Sequence, residues 1–221
     1  MYESLGDLIL SRVDGFNSSV RHVLNLGAVL GESFKLVEIV DIMQLLDVKV
    51  DDGNSNTQYM HAKQAQEALE VAVYEGVLYM EYEGGAAEHT DYYSGDIDYS
   101  SSASKVEDVS FSFSHDVWRS SILRVMLDSQ KRETHRMIAL TLESRQGDEE
   151  LSDFLSKTRL FNHWRGSGDF SKASSAALHV SSDFISLGLY DQSIQILHDT
   201  IGILNLSDAG TIADDGKGMF K

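Results

Sequence analysis

The stretch from Asp108 to Leu142 restricts the fold of this chain most, because its hydrophobic periodicity changes from that of a strand to that of a helix. Apolar residues alternate with serines over Val109–Phe113, which predicts a strand with one buried face. After Asp116 the apolar positions recur with helical spacing, first at Trp118, Ile122 and Val125, and then in a second helix at His135, Ile138, Ala139 and Leu142. A strand that leads into two amphipathic helices predicts a module in which helices predominate.

The composition agrees with a mainly helical chain and excludes several kinds of site. The 221 residues include no proline and no cysteine. Long helices need no proline, and a chain without cysteine has no disulfide, thiolate nucleophile or zinc–thiolate centre. No apolar run approaches the ~20 residues that a membrane-spanning helix requires, and the N-terminus lacks the positive charge of a signal peptide. We therefore expect a cytoplasmic protein that does not enter the membrane.

The charge balance narrows the range of partners. Acidic residues number 35 against 18 basic residues, which gives a net charge of −17. Such a surface repels phosphate backbones and anionic lipids, so we expect no nucleic-acid partner and no membrane-surface partner. In the simplest interpretation the acidic residues serve solubility, and a basic protein partner is the alternative.

Residues 1–145 are predicted to form a winged-helix-like domain, which combines several helices with a two-stranded β-hairpin. The hairpin is interrupted by an acidic insert at about 84–106, whose glycines and serines contribute little to a core. Helix starts are predicted at Ser18 or Ser19 and again at Ser33, because serine side chains cap helix N-termini well.

Residues 146–206 are predicted to begin a tetratricopeptide-like array of antiparallel helices, followed by a flexible tail at 207–221. Two antiparallel helices joined by a turn at Gly188 form one unit of such an array, and one unit cannot bury both of its faces. The predicted inner face of the last helix consists of Tyr190, Ile194, Leu197, Ile201 and Leu204.

No motif for catalysis or for a bound cofactor occurs in the sequence. The segment Gly210–Gly218 (GTIADDGKG) has one residue too many for a phosphate-binding loop and lacks the hydroxyl residue of that loop. The zinc motif HExxH and the nucleophile elbow G-x-S-x-G are both absent. We therefore predict no catalytic residue, no metal ligand and no cofactor in this segment.

The basic residues are too few and too mixed with acids to read DNA. In the helix at 62–75, which takes the position of a recognition helix, Lys63 stands against Glu67 and Glu70. The basic residues between 119 and 136 alternate with acids, which predicts an ion-paired helix surface or, alternatively, a docking site. Trp164 is a core residue by its spacing, with a groove position as the alternative. The candidates for partner binding are Arg124, Lys131, Arg132, Arg136, Trp164 and Tyr190.

Several segments, taken in order, resemble one family. They include AVLGESF, FSHDVWRSSILRVML, QKRETH and the more generic FNHWRGSGDFSKASSAALHV. Over about Glu3 to Leu204 the chain resembles the region after the nucleotide-binding core of STAND-type AAA+ signalling ATPases. The most similar members are those fused to class III adenylate or guanylate cyclases, together with the MalT-like regulators.

The resemblance implies a winged-helix domain followed by tetratricopeptide-like helices. It implies an upstream ATPase core as a partner in cis and protein partners on the helical array. His115, which matches the His-Asp pair of the family together with Asp116, becomes a nucleotide-sensor candidate. The phosphate-binding loop and the cyclase domain of the family have no counterpart in this sequence.

On this basis we predict that the segment is not itself an enzyme. We expect a non-catalytic regulatory segment of a signalling ATPase, which couples nucleotide state or partner binding to an effector such as a nucleotide cyclase. A free-standing helical-repeat adaptor is the alternative, and a winged-helix transcription regulator is a third hypothesis.

Overall fold

The computed structural model describes residues 5–47, 55–82, 109–145 and 154–214. Helices predominate in these residues, accompanied by one small three-stranded antiparallel sheet, so the predicted mainly α fold is confirmed. The chain divides into two compact units, residues 1–131 and 132–221. The boundary lies inside a helix, and not at residue 145 as we expected from the sequence.

Unit 1 contains five helices and three strands among its described residues. In chain order they are α1 (Leu5–Asp14), α2 (Ser18–Leu30), β1 (Ser33–Lys35), α3 (Leu36–Asp47), α4 (Ser55–Tyr74), β2 (Leu78–Tyr82), β3 (Val109–Phe113) and α5 (Asp116–Val125). The N-cap of α2 is Asn17 and not a serine, because the Asn17 side chain accepts a hydrogen bond from the Val20 backbone N–H at 2.9 Å. The acidic insert at 84–106 lies outside the described residues.

The sheet has three strands, and not the two of the predicted hairpin. Strand β3 lies between β1 and β2 and pairs antiparallel with both. Ser33, which we expected to cap a helix, instead lies in β1 opposite Ser112. The cause is Phe34, whose buried ring lies 6.1 Å from the ring centroids of both Phe111 and Phe113. Burying that aromatic ring favours the extended strand.

The core of unit 1 follows the amphipathic faces of its helices. Helix α2 buries Val20, Val23 and Leu24, and α5 buries Trp118 and Ile122. Val125 was predicted on the same face of α5 but is exposed. It is the last residue of the helix, and Met126, which follows it with an extended backbone, is buried in its place.

Unit 2 is helical throughout its described residues. Its elements are α6 (Asp128–Ser144), which begins in unit 1, then α7 (Phe154–Ser167), α8 (Phe170–Ser186) and α9 (Tyr190–Asp214). Consecutive helices α7, α8 and α9 pack on each other. Helix α9 runs through residues 207–214, so the prediction that the tail begins at 207 is wrong; residues 215–221 lie outside the described residues.

Candidate interaction surface

Two glycine turns arrange α7, α8 and α9 as neighbouring antiparallel helices. Gly168 and Gly188 have φ values of 80° and 74°, in the left-handed region that glycine adopts without strain. Asp169 then begins α8, because its carboxylate accepts a hydrogen bond from the Lys172 backbone N–H at 3.1 Å. Each connection is only two or three residues long, which brings consecutive helices side by side.

The contact between α8 and α9 is made by small side chains. On α8 the buried residues are Ala173, Ala176, Ala177, Val180 and Ser181. On α9 the buried residues include Ser193 and Thr200, which are seven positions apart and therefore share one face. Small side chains are thus buried on both of these helices, which pack on each other.

Three of the larger apolar residues of α9 are exposed, while others are half-buried. Ile194 is 65% exposed while its neighbour Ser193 is 3% exposed. Tyr190 and Ile201 are also exposed, and Leu197 and Leu204 are half-buried. The predicted inner face of the last helix is therefore wrong for its three exposed members, because α8 packs against the serine and threonine stripe instead.

Exposed apolar side chains continue from α9 into the turn before it. Tyr190, Ile194 and Ile201 lie within about 40° of each other around the helix axis at 100° per residue. Three apolar residues close to Tyr190 in the chain are also exposed. We define the α8–α9 surface as Ile185, Leu187, Leu189, Tyr190, Ile194 and Ile201. Large apolar residues exposed together are typical of a site that binds another protein.

The charged residues between Lys172 and Lys217 are all acidic. Between Lys172 and Lys217 there are six aspartates and no lysine or arginine. Of the neighbouring lysines, Lys157 pairs with Asp183, one of these six aspartates, at 2.7 Å, and Lys172 pairs with Glu143 at 3.0 Å. The α8–α9 surface therefore lies in an acidic stretch of the chain.

Trp164 belongs to a buried cluster that joins α6, α7 and α8. Its side chain is 1% exposed, and its indole N–H donates to Glu143 Oε1 at 2.9 Å. The ammonium of Lys172 lies 4.0 Å from the Trp164 ring centroid and also donates to Glu143 Oε2. Trp164 is thus a core residue, and the groove position that we gave as its alternative is wrong.

A pair of histidines lies on the other side of α7. His135 Nδ1 and His163 Nδ1 are 3.0 Å apart, and the Gly166 backbone approaches the His135 ring so closely that a Cβ there would be 2.6 Å from it. Burial, together with the nearby charges of His135 and Arg159, lowers the pKa of His163 to about 3. The His163 ring is therefore neutral near pH 7, and one of the two Nδ1 atoms donates the hydrogen bond that the other accepts.

The basic candidates of the sequence are partly occupied by local ion pairs. Lys131 lies 3.3 Å from Asp128, and Arg136 lies 3.8 Å from Glu133, each three residues away on α6. Arg124 and Arg132 are exposed. These pairs agree with the ion-paired helix surface that was one of the two interpretations of this basic segment.

The remaining two candidates are exposed, in different units. His115 is the N-cap residue of α5, although its side chain makes no capping hydrogen bond. Tyr190 begins α9 and is 61% exposed, as a partner-binding residue must be. The sequence did not single out Leu187 or Ile185 for this role. The sequence did contain a signal for a second apolar stripe on α8. Leu178 and Ile185 are seven residues apart and therefore share one helix face, which differs from the face of the buried alanines.

One small recess lies among the helices of unit 2. A recess within unit 2, lined in part by Phe161, Phe170 and Thr200, has a volume of about 10 Å³, which holds about one water molecule. In the part of the chain that the structure describes, no three histidine or acidic side chains gather closely enough to hold a metal ion. No helix there combines the length and apolar character needed to cross a membrane.

Comparison of the chain with protein-family models, with curated proteins and with solved structures finds no match.

Proposed function

We propose that this chain is a non-catalytic interaction segment, which acts as the regulatory arm of a STAND-type signalling ATPase. The observation that carries the proposal is the exposed α8–α9 surface, at which Tyr190, Ile194 and Ile201 of α9 are exposed while Ser193 and Thr200 are buried. A helix hairpin of this kind binds another protein through the apolar residues that it leaves uncovered.

The topology of unit 1 supports the proposed role as the regulatory arm of a signalling ATPase. A three-stranded sheet in the order β1-β3-β2 with α2, α3 and α4 packed together is consistent with a winged-helix domain. In the family that the sequence resembles, such a domain follows the ATPase core, and we expect unit 1 to move against that core as a rigid body. We infer that unit 1 docks on that core, that unit 2 binds partners, and that the protein acts in the cytoplasm.

Reconstitution in trans tests this function. The purified chain is added to an ATPase core of this family, with and without its cyclase domain, while binding, ATP hydrolysis and cyclase rate are measured. Binding accompanied by a change in either rate is the expected result. A chain that neither binds the core nor changes either rate contradicts the regulatory role, and a chain that binds only unrelated proteins favours the free-standing adaptor.

A transcription regulator is the less favoured function, and α4 is the observation against it. Helix α4 contains one lysine, Lys63, which lies 3.9 Å from Glu67. Glu70 lies on the same helix. Reading a DNA groove requires an excess of basic side chains. A gel-shift assay at low salt decides this point, because a regulator of this type binds DNA most tightly there.

A further inference from the structure

The α8–α9 surface has a chemistry that selects among protein partners. Its apolar residues on α9 occur at i, i+4 and i+11, which places them in one row about 16 Å long. An amphipathic helix laid along this row meets it with apolar side chains spaced by three, four and seven residues. The length of the row corresponds to three turns of such a partner helix.

The acidic residues between Lys172 and Lys217 decide the charge of the partner. No lysine or arginine occurs between Lys172 and Lys217, and Asp191 lies beside Tyr190 at the start of α9. An acidic helix docked here brings like charges together, whereas a helix with basic flanks gains attraction on approach. A second copy of this chain brings the same aspartates and a net charge of −17, so like-charge repulsion opposes self-association.

From this we infer that the α8–α9 surface binds an amphipathic helix whose apolar face is flanked by lysine or arginine, an inference that rests on the proposed interaction function. The apolar residues supply the contact area and the aspartates set the preference for a basic partner. Lys157 offsets the charge of one of these aspartates, Asp183, so the preference rests on Asp191 and Asp199, whereas Lys172 pairs with Glu143 outside the stretch.

Two synthetic peptides of matched design test the inference. Both are helical, with leucines spaced to form one apolar face, and they differ only in carrying lysine or glutamate beside that face. Fluorescence anisotropy of each labelled peptide is measured against the full chain at about 0.05 M and about 0.5 M salt. We expect the lysine peptide to bind at least about tenfold more tightly than the glutamate peptide at low salt, with the preference shrinking at high salt.

A double variant separates this surface from general attraction to an acidic protein. The double variant Ile194→Ser with Ile201→Ser leaves every charge in place. We expect it to lower the affinity for the lysine peptide at least about tenfold. Leu155→Ser changes an equally exposed residue on α7 and serves as the matched control, with unchanged affinity expected. Thermal melts of both variants establish that each remains folded.

Three results overturn the inference: equal affinity for both peptides, unchanged affinity of the double variant, or no peptide binding at all. A dimer in sedimentation that the double variant abolishes also overturns it, because a second copy is then the occupant. The ATPase-core assay keeps the two proposals apart. A chain that binds and regulates the core equally well with and without the double variant retains the proposed function and loses only this inference.

Discussion

Gly166 approaches the His135 ring closely within unit 2. A Cβ at position 166 would lie 2.6 Å from the His135 ring, nearer than packed atoms allow. We predict that Gly166→Ala lowers the free energy of unfolding by about 1–3 kcal/mol, because the ring or the α7 backbone must move. Urea denaturation measures the change.

Gly202 provides the matched control for this substitution. It is also within a helix, but nothing lies within 4 Å of a Cβ placed there. Gly202→Ala should therefore stabilise by about 0.5–1 kcal/mol, because alanine is the better helix former. If both substitutions raise the stability, the contact between Gly166 and His135 is not as close as described.

The buried imidazole of His163 gives the protein a specific dependence on pH. Its pKa in the folded chain is about 3, below the usual value of 6.5 that holds when the chain unfolds. Between those values the unfolded chain binds a proton that the folded chain does not, so stability rises with pH there and is lost on acidification. We predict that His163 lowers the free energy of unfolding by about 1.4 kcal/mol for each pH unit as the pH falls from about 6.5 towards about 3.

The variant His163→Gln isolates that contribution. The free energy of unfolding is measured against pH for this variant and for the unchanged chain, and the variant is expected to have the shallower slope below pH 6.5. His198→Gln alters a histidine whose side chain is 83% exposed and is measured alongside as a control for the loss of an imidazole outside the core. Identical slopes for all three proteins would mean that His163 takes up its proton freely in the folded state.

At the scale of elements, Glu143 ties α6 to α7 and α8. One of its carboxylate oxygens accepts the Trp164 indole N–H and the other accepts the Lys172 ammonium. We predict that Glu143→Ala costs about 1–3 kcal/mol, because it leaves a buried donor without an acceptor. Glu143→Gln keeps an acceptor for the indole and should cost less. Urea unfolding followed by tryptophan fluorescence measures both.

Glu133 supplies the control for this prediction on the same helix. Its carboxylate lies 3.8 Å from Arg136 at an exposed position. Exposed pairs contribute little, so Glu133→Ala should change stability by less than about 0.5 kcal/mol. Equal losses at positions 133 and 143 would place the effect in α6 itself and not in the contact between helices.

At the scale of the whole molecule, the net charge of −17 works against the folded state. Raising the salt from about 0.01 M to about 0.15 M shortens the screening length from about 30 Å to about 8 Å. We predict that Tm rises by about 2–4 °C over this range, which corresponds to about 1 kcal/mol. Differential scanning calorimetry provides the measurement.

Removing one negative charge should mimic part of the salt effect. Asp14→Asn alters an exposed aspartate at the C-terminal end of α1, where a negative charge is unfavourable, and is expected to raise Tm at low salt, with a smaller rise at 0.15 M, because screening has already weakened the repulsion there. If Tm falls as salt is added, favourable ion pairs outweigh the net repulsion.

Elements that depend on local spacing were predicted well from the sequence. The strand Val109–Phe113 and the helices after it follow from periodicity, and Gly31 and Gly188 end α2 and α8 where glycine was expected to end them. Tyr190 was among the predicted partner-binding residues and is on the surface. These features are local, because hydrogen bonds and side chains a few residues apart are enough to produce them.

What depended on distant neighbours was decided by tertiary structure alone. Strand β1 exists because the Phe34 ring packs on β3 and fits beside Gly27, where a Cβ would lie 2.5 Å from it. The burial of Ser193 in place of Ile194 was likewise set by the small residues of α8. Periodicity reveals that a helix has an apolar stripe and a stripe of small residues. The neighbouring helix determines which of the two stripes is buried, because close packing depends on how well two helix surfaces fit together.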